Sequence, residues 1–122
     1  MTPILDTNII IDFINGRSQA ANELERYESC AVSIMTWIET LVGAKTEHTR
    51  NEARKLLALF EVVELSPEIA EQAVHIRSRK RIALPDAIIW ATAKARGTLL
   101  ITRNEKDFDA DEPDIRIPYR LK

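Results

Sequence analysis

Short apolar runs alternate with stretches of helical periodicity along this chain, and that alternation limits the fold more than any other feature. The runs lie near Thr2–Asp6, Ser29–Val32, Val62–Leu65, Thr98–Thr102 and Ile115–Ile117. Helical patterns separate them, so successive strands cannot be joined by tight hairpin turns. Strands of this kind assemble into a mainly parallel sheet with helices on both faces. The punctuation agrees. Thr7 or Asn8 can cap a helix through Ile14 that Gly16 closes, and Ser18 can start another through Tyr27. Ser33 caps a helix through about Ala44, on which Ile34, Ile38, Leu41 and Val42 share one apolar face. A helix over Glu47–Phe60 carries Leu56, Leu57 and Phe60. Ser66-Pro67-Glu68 supplies a cap, a first-turn proline and an early acid for a helix running toward Arg79. Pro85 starts the last helix and Gly97 ends it.

With 122 residues and 45% hydrophobic content, the chain is expected to form a single domain, 1–122, with a real core. A formal charge of -2 rules out polyanion binding by bulk charge. A local strip of Arg77, Arg79, Lys80 and Arg81 can still hold phosphates. An acidic stretch of Asp107, Asp109, Asp111, Glu112 and Asp114 follows near the end. Cys30 is the sole cysteine, so no intramolecular disulfide can form, and its run Cys30-Ala31-Val32 marks it as core filling. No run approaches the ~20 apolar residues that span a bilayer. Asp6 and Asp12 interrupt the N-terminal apolar stretch, which lacks a basic leader. A soluble, cytoplasmic protein is the expectation.

Two acids stand where charge is costly. Asp6 directly follows an apolar strand, and Asp86 opens the helix Ala87-Ile88-Ile89-Trp90-Ala91, which is apolar around its circumference. Desolvating an unpaired carboxylate costs several kcal/mol. Each acid could be satisfied as a helix cap or a first-turn acid. Glu39, off the Ile34–Ile38–Leu41 stripe, could be a solvated helix residue. In a parallel sheet, however, Asp6, Ser33 and Thr102 fall at one edge, where ligands bind such folds. Clustered carboxylates need counter-charge, and a hard divalent cation, Mg²⁺ or Mn²⁺, supplies it through oxygen ligands. Zinc is disfavoured, because His48 and His75 stand outside any Cys/His spacing.

Leu5-Asp6-Thr7-Asn8, Ser33-x-x-Thr36-x-x-Glu39, Leu84-Pro85-Asp86-Ala87 with Ala91-Thr92-Ala93, and Thr102-Arg103-Asn104 with Asp107-Phe108 together resemble the PIN-domain signature. The order, spacing and length are most similar to VapC-type toxins of bacterial toxin–antitoxin pairs. The resemblance implies a three-layer α/β/α sandwich with a small, mainly parallel five-stranded sheet and a Mg²⁺- or Mn²⁺-dependent endoribonuclease. It implies Asp6 and Asp86 as principal metal ligands, with Glu39 binding metal or orienting a water, and Asn8 and Thr102 in support. Where many members carry a fourth acid, this chain has Asn104; Asp107, a neutral amide or a water could complete the site.

The chemistry so implied is hydrolysis of an RNA phosphodiester by in-line attack of water, with a cation neutralising charge on the phosphate oxygens. Arg103 and the Arg77, Arg79, Lys80, Arg81 cluster are candidate backbone contacts for single-stranded or looped RNA. A homodimer and a small cognate antitoxin are further implications, with the first helix and Glu47–Phe60 as candidate contact surfaces. The competing readings are a non-catalytic PIN-like domain and a receiver-like interaction module. A receiver needs paired acids after its first strand and an acceptor aspartate near mid-chain, whereas no aspartate lies between Asp12 and Asp86. A dehalogenase-like phosphatase needs a second aspartate where Asn8 stands, and a Gly-rich phosphate loop is absent.

Overall fold

The computed structural model describes residues 1–121. Five strands form one sheet: β1 (Ile4–Leu5), β2 (Ala31–Ser33), β3 (Glu61–Val63), β4 (Leu100–Ile101) and β5 (Ile115–Arg116). Six helices accompany them: α1 (Thr7–Ile14), α2 (Ser18–Leu24), α3 (Ile34–Gly43), α4 (Glu47–Leu57), α5 (Pro67–Arg79) and α6 (Leu84–Arg96). The sheet order is β3-β2-β1-β4-β5 and every pairing is parallel. The expected α/β/α sandwich is therefore present, and its sheet is wholly parallel.

Alternation along each strand explains the three layers. Ile4, Ala31 and Leu100 pack on one side with Ile69, Ala73 and Ile76 of α5 and the buried face of α6. Their neighbours Leu5, Val32 and Ile101 point the other way, against Ile9 and Ile10 of α1, Leu41 of α3 and Leu57 of α4. Both faces are buried, so the strands carry apolar side chains at consecutive positions.

Helix α6 is the inner helix. From Ala87 to Thr92 and Ala93, every residue is buried, which is what its all-round apolar sequence requires. Gly97 ends it at φ 62, where a glycine adopts the left-handed conformation without a Cβ clash. Ser66 caps α5 by accepting from the Ile69 N–H, and Ser33 caps α3 through the Met35 N–H. Cys30 is buried, and burial, with the Glu23 charge, pushes its thiol up to about 11.

Elements end sooner than periodicity suggests. α2 stops at Leu24 instead of Tyr27, and α4 at Leu57 instead of Phe60, each followed by turns. The larger difference is the orientation of α3. Leu41 is buried, but Ile38 is 43% and Val42 67% exposed, while Thr36 and Thr40 face inward. Small β-branched residues let α3 approach its neighbours closely, so the bulkier apolar stripe is left on the surface.

Candidate functional site

In an open parallel sheet, the ligand crevice lies where the chain leaves neighbouring strands in opposite directions. Here β1 continues toward β2 on one side, while β4 continues toward β5 on the other. The residues just beyond β1 and β4 therefore meet at that crevice. They are Asp6 and Thr102.

Asp6 is 3% exposed and caps α1, its Oδ1 accepting from the Thr7 N–H at 2.8 Å. Its Oδ2 accepts from the Thr102 hydroxyl at 2.7 Å and from Asn8 Nδ2 at 3.2 Å. Asn8 Nδ2 also reaches Thr102 Oγ1 at 3.3 Å, and Asn8 Oδ1 accepts from the Arg103 N–H at 3.1 Å. Three neutral groups thus hold one carboxylate in a fixed orientation. Burial raises the Asp6 pKa, the bonds from Thr102, Thr7 and Asn8 oppose that rise, and the Glu39 charge adds to it.

Asp86 lies in the first turn of α6 and is half-buried. Burial, then the charges of Asp6, Asp107 and Glu39, push it up to about 6. Every one of these influences acts in the same direction. Among the described residues, no lysine, arginine or histidine forms an ion pair with Asp6, Glu39 or Asp86.

Glu39, on the second turn of α3, accepts from the Thr7 hydroxyl at 2.7 Å through Oε1, and that hydroxyl lies 3.1 Å from Thr36 Oγ1. Asn104 and Asp107 bond to each other: Asn104 Nδ2 donates to Asp107 Oδ2 at 2.9 Å, and the Asp107 N–H donates to Asn104 Oδ1 at 3.2 Å. Asp107 is exposed but near enough for its charge to act on Asp86. Among the described residues, no three acid, histidine or cysteine side chains are gathered into a ready-made ligand shell. Asp6, Glu39 and Asp107 are each held by neutral donors and lie near enough for their charges to act on Asp86, which accepts no hydrogen bond among the described residues.

Sequence reasoning missed four supporting groups. Thr7 and Thr36 connect α1 to Glu39. Asp12, 3% exposed in the apolar first helix, accepts from Arg103 Nε at 2.7 Å, Arg103 Nη2 at 3.1 Å and the Tyr119 hydroxyl at 2.8 Å. A buried acid four residues after Asn8, on the same helix face, was a legible sign of a partner. Nothing local names that partner, because Arg103 lies 91 residues away in sequence.

The basic cluster divides. Arg77 Nη1 donates to the Ile82 carbonyl at 2.6 Å, bracing the turn between α5 and α6. Lys80 pairs with Glu112 at 3.4 Å and lies over Trp90, while Arg79 and Arg81 are exposed on the approach to α6. Arg103, expected to face RNA, instead turns its guanidinium onto Asp12, since a buried carboxylate competes more strongly for a fork of donors than solvent does.

Comparison with known proteins gives a consistent picture. The profile of the PIN domain matches residues 4–111. Ribonuclease VapC1 of Rickettsia felis is 31% identical over 117 residues, spanning 86% of this chain and 87% of that protein. A chain in a solved toxin-antitoxin complex from Klebsiella pneumoniae is 42% identical and superposes with a TM-score of 0.91, covering 98% of this chain and 100% of that one. FitAcB from Neisseria gonorrhoeae, at 24% identity and a TM-score of 0.81, covers 98% of this chain and 100% of its own and shares the fold.

Proposed function

The chain belongs to the PIN-domain family, among the VapC-type toxin ribonucleases of toxin–antitoxin systems, and we propose that Asp6, Glu39 and Asp86 are its catalytic acids. The observation that carries this assignment is the upward pressure on Asp86, whose acidic neighbours lack an ion-paired cation among the described residues. Such an arrangement is unfavourable as a structural device and favourable as a receptor for positive charge.

The donor set fits Mg²⁺ or Mn²⁺. It consists of carboxylate and neutral oxygens, the ligands of hard cations, and no thiolate or imidazole takes part. Asp6 and Asp86 would be the principal ligands, with Glu39 and Asp107, the other acids whose charges act on Asp86, and the neutral Asn104 of the loop completing the set. When bound, the cation supplies Lewis acidity and neutralises charge on the phosphate oxygens.

The residues do the rest. Thr102 and Asn8 orient Asp6. Thr7 holds Glu39 toward the crevice, where its carboxylate can accept a proton from an attacking water. Arg79 and Arg81, exposed just before the Asp86 turn, take phosphates of a single-stranded or looped RNA. Removing those two charges flattens the salt dependence of RNA binding by about two contacts' worth.

A small cognate antitoxin covers apolar surface that the monomer leaves open. A groove of ≈ 390 Å³ lined by Ile11, Ile14, Thr40 and Ala53 runs between α1, α3 and α4, and Ile38 and Val42 are exposed on α3. A second groove of ≈ 360 Å³, lined by Leu65, Val74, Leu84 and Ile88, suits a second copy of the chain. Among the described residues, no helix is long and apolar enough to cross a membrane.

The test is metal-dependent cleavage of a structured RNA by purified protein. Wild type cleaves with Mg²⁺ or Mn²⁺ and is silent with chelator, and Asp86→Asn is inactive while remaining folded. Undiminished metal-dependent cleavage by that variant rejects the assignment.

A further inference from the structure

Arg103 spends its guanidinium on Asp12, yet its backbone reaches the candidate site. Its N–H donates to Asn8 Oδ1 at 3.1 Å, and Asn8 in turn donates to Asp6 Oδ2 and to Thr102 Oγ1. The loop after β4 therefore carries two groups that orient Asp6: the Thr102 hydroxyl directly and the Arg103 amide through Asn8. Both Asn8 and Asp12 belong to α1, one turn apart. Tyr119, from the segment after β5, closes the cluster by donating to the same Asp12 oxygen as Arg103 Nε.

We infer that Asp12, Arg103 and Tyr119 form a positioning strut for the metal-binding carboxylate Asp6, so that Arg103 serves cation affinity instead of RNA contact. The inference rests on the assignment of Asp6 as a metal ligand. Asp12 fixes the Arg103 side chain with two bonds, and a fork bound at both ends leaves the residue little freedom to move. Fixing Arg103 fixes the Thr102-Arg103-Asn104 backbone. That backbone sets where the Thr102 hydroxyl and the Arg103 amide lie, and those in turn set the direction in which the Asp6 oxygens point. Partners behind a metal ligand tune affinity in this way.

The molecule contains its own control. Glu23 on α2 is also buried, and it accepts from Arg116 Nε and Nη2 and from the Tyr27 hydroxyl, at 2.7, 2.9 and 2.9 Å. Its chemistry matches that of the Asp12 cluster, but its side-chain bonds end on Arg116 and Tyr27. The one link onward among the described residues, the Arg116 carbonyl accepting from the Thr102 N–H at 3.1 Å, belongs to the β4–β5 pairing, which holds that backbone whatever the Arg116 side chain does. No bond leads to Asn8 or Asp6. A cluster that only stabilises the fold and one that positions Asp6 should therefore separate when metal binding is read directly.

The experiment measures Mn²⁺ binding by the loss of the free-ion electron paramagnetic resonance signal, alongside thermal melting without metal. Substitutions are Asp12→Asn, Tyr119→Phe, Glu23→Gln and Asp86→Asn. Asp12→Asn acts through one more link than a direct outer partner, whose loss costs about 10–100-fold, so about a three- to tenfold weakening of Mn²⁺ binding is expected. Tyr119→Phe weakens it less but measurably, with the fold intact. Glu23→Gln lowers the melting temperature and leaves Mn²⁺ affinity at the wild-type value. Wild-type affinity in both Asp12→Asn and Tyr119→Phe overturns the strut while leaving the site standing, provided Asp86→Asn has lost binding. Equal weakening by Glu23→Gln overturns it as well. Failure of the wild type to bind Mn²⁺, or full binding by Asp86→Asn, overturns the underlying site assignment together with the strut.

Discussion

Two kinds of buried acid coexist in this molecule, and their contrast separates what holds the fold from what equips the site. Asp12 and Glu23 each sit against an arginine fork and a tyrosine hydroxyl. Burial works to raise both, but the bonds and charges of Arg103, Tyr119 and Arg17, or of Arg116, Tyr27 and Arg26, outweigh it and leave both pKa values lowered. Asp6 and Asp86 are raised. Asp6 receives hydrogen bonds from neutral donors only, and Asp86 faces other acids. The same chain surrounds Asp12 and Glu23 with cationic and hydroxyl donors and leaves its crevice carboxylates in need of positive charge. Destabilised polar groups of this kind are the mark of a site whose stability is completed by its ligand.

The contrast can be attacked first where it is sharpest. Asp6→Asn and Asp86→Asn should each reduce cleavage by more than the ~100-fold that the loss of an outer partner costs, measured as initial rates at saturating Mn²⁺. Either variant keeping wild-type rates would erase the distinction between the two kinds of acid. On the structural side, Glu23→Ala leaves Arg116 without its buried partner. A loss of about 3–5 kcal/mol in unfolding free energy is expected from chemical denaturation, and a change below ~1 kcal/mol would mean that the pair contributes little.

Thr102→Val removes the 2.7 Å bond to Asp6 with little change in shape. Mn²⁺ binding should weaken by about 10–100-fold, whereas a purely structural hydroxyl would lower the melting temperature and leave affinity alone. The smallest effect concerns pH. Asp86 has a folded pKa of about 6 against an ordinary 3.8, so the metal-free fold favours its protonated form. Stability contributed by that proton is present below the ordinary value and is lost as pH rises through about 6. Without metal, Asp86→Asn should therefore melt at the wild-type temperature below pH 4 and a few degrees higher above pH 6. A difference that is flat across this range would show that Asp86 is not under acidic pressure.

Much of this arrangement could be read from sequence because it depends on local pattern. The all-round apolar content of Ala87–Ala93 announces an inner helix, Ser66-Pro67 announces a helix start, and strand ends at Leu5 and Ile101 put Asp6 and Thr102 on one sheet edge. Other features depend on contacts between distant segments. The Ile38–Val42 stripe looks like core by periodicity, yet a helix that uses Thr36 and Thr40 to pack leaves it outside. A sequence shows that a face is apolar, but not whether the chain's own sheet or another molecule covers it. The partner of Asp12 was equally hidden. Among several arginines, only the crossing of α1 with the loop after β4 selects Arg103.

Asp86 is unfavourable to the empty fold and should become favourable once a cation is bound. Thermal melting of wild type and Asp86→Asn at neutral pH, with and without Mn²⁺, tests it in one experiment. Wild type should melt below the variant without metal and rise with the logarithm of Mn²⁺ concentration once that exceeds the Kd, while the variant is unresponsive. Equal upward shifts in both proteins would contradict it.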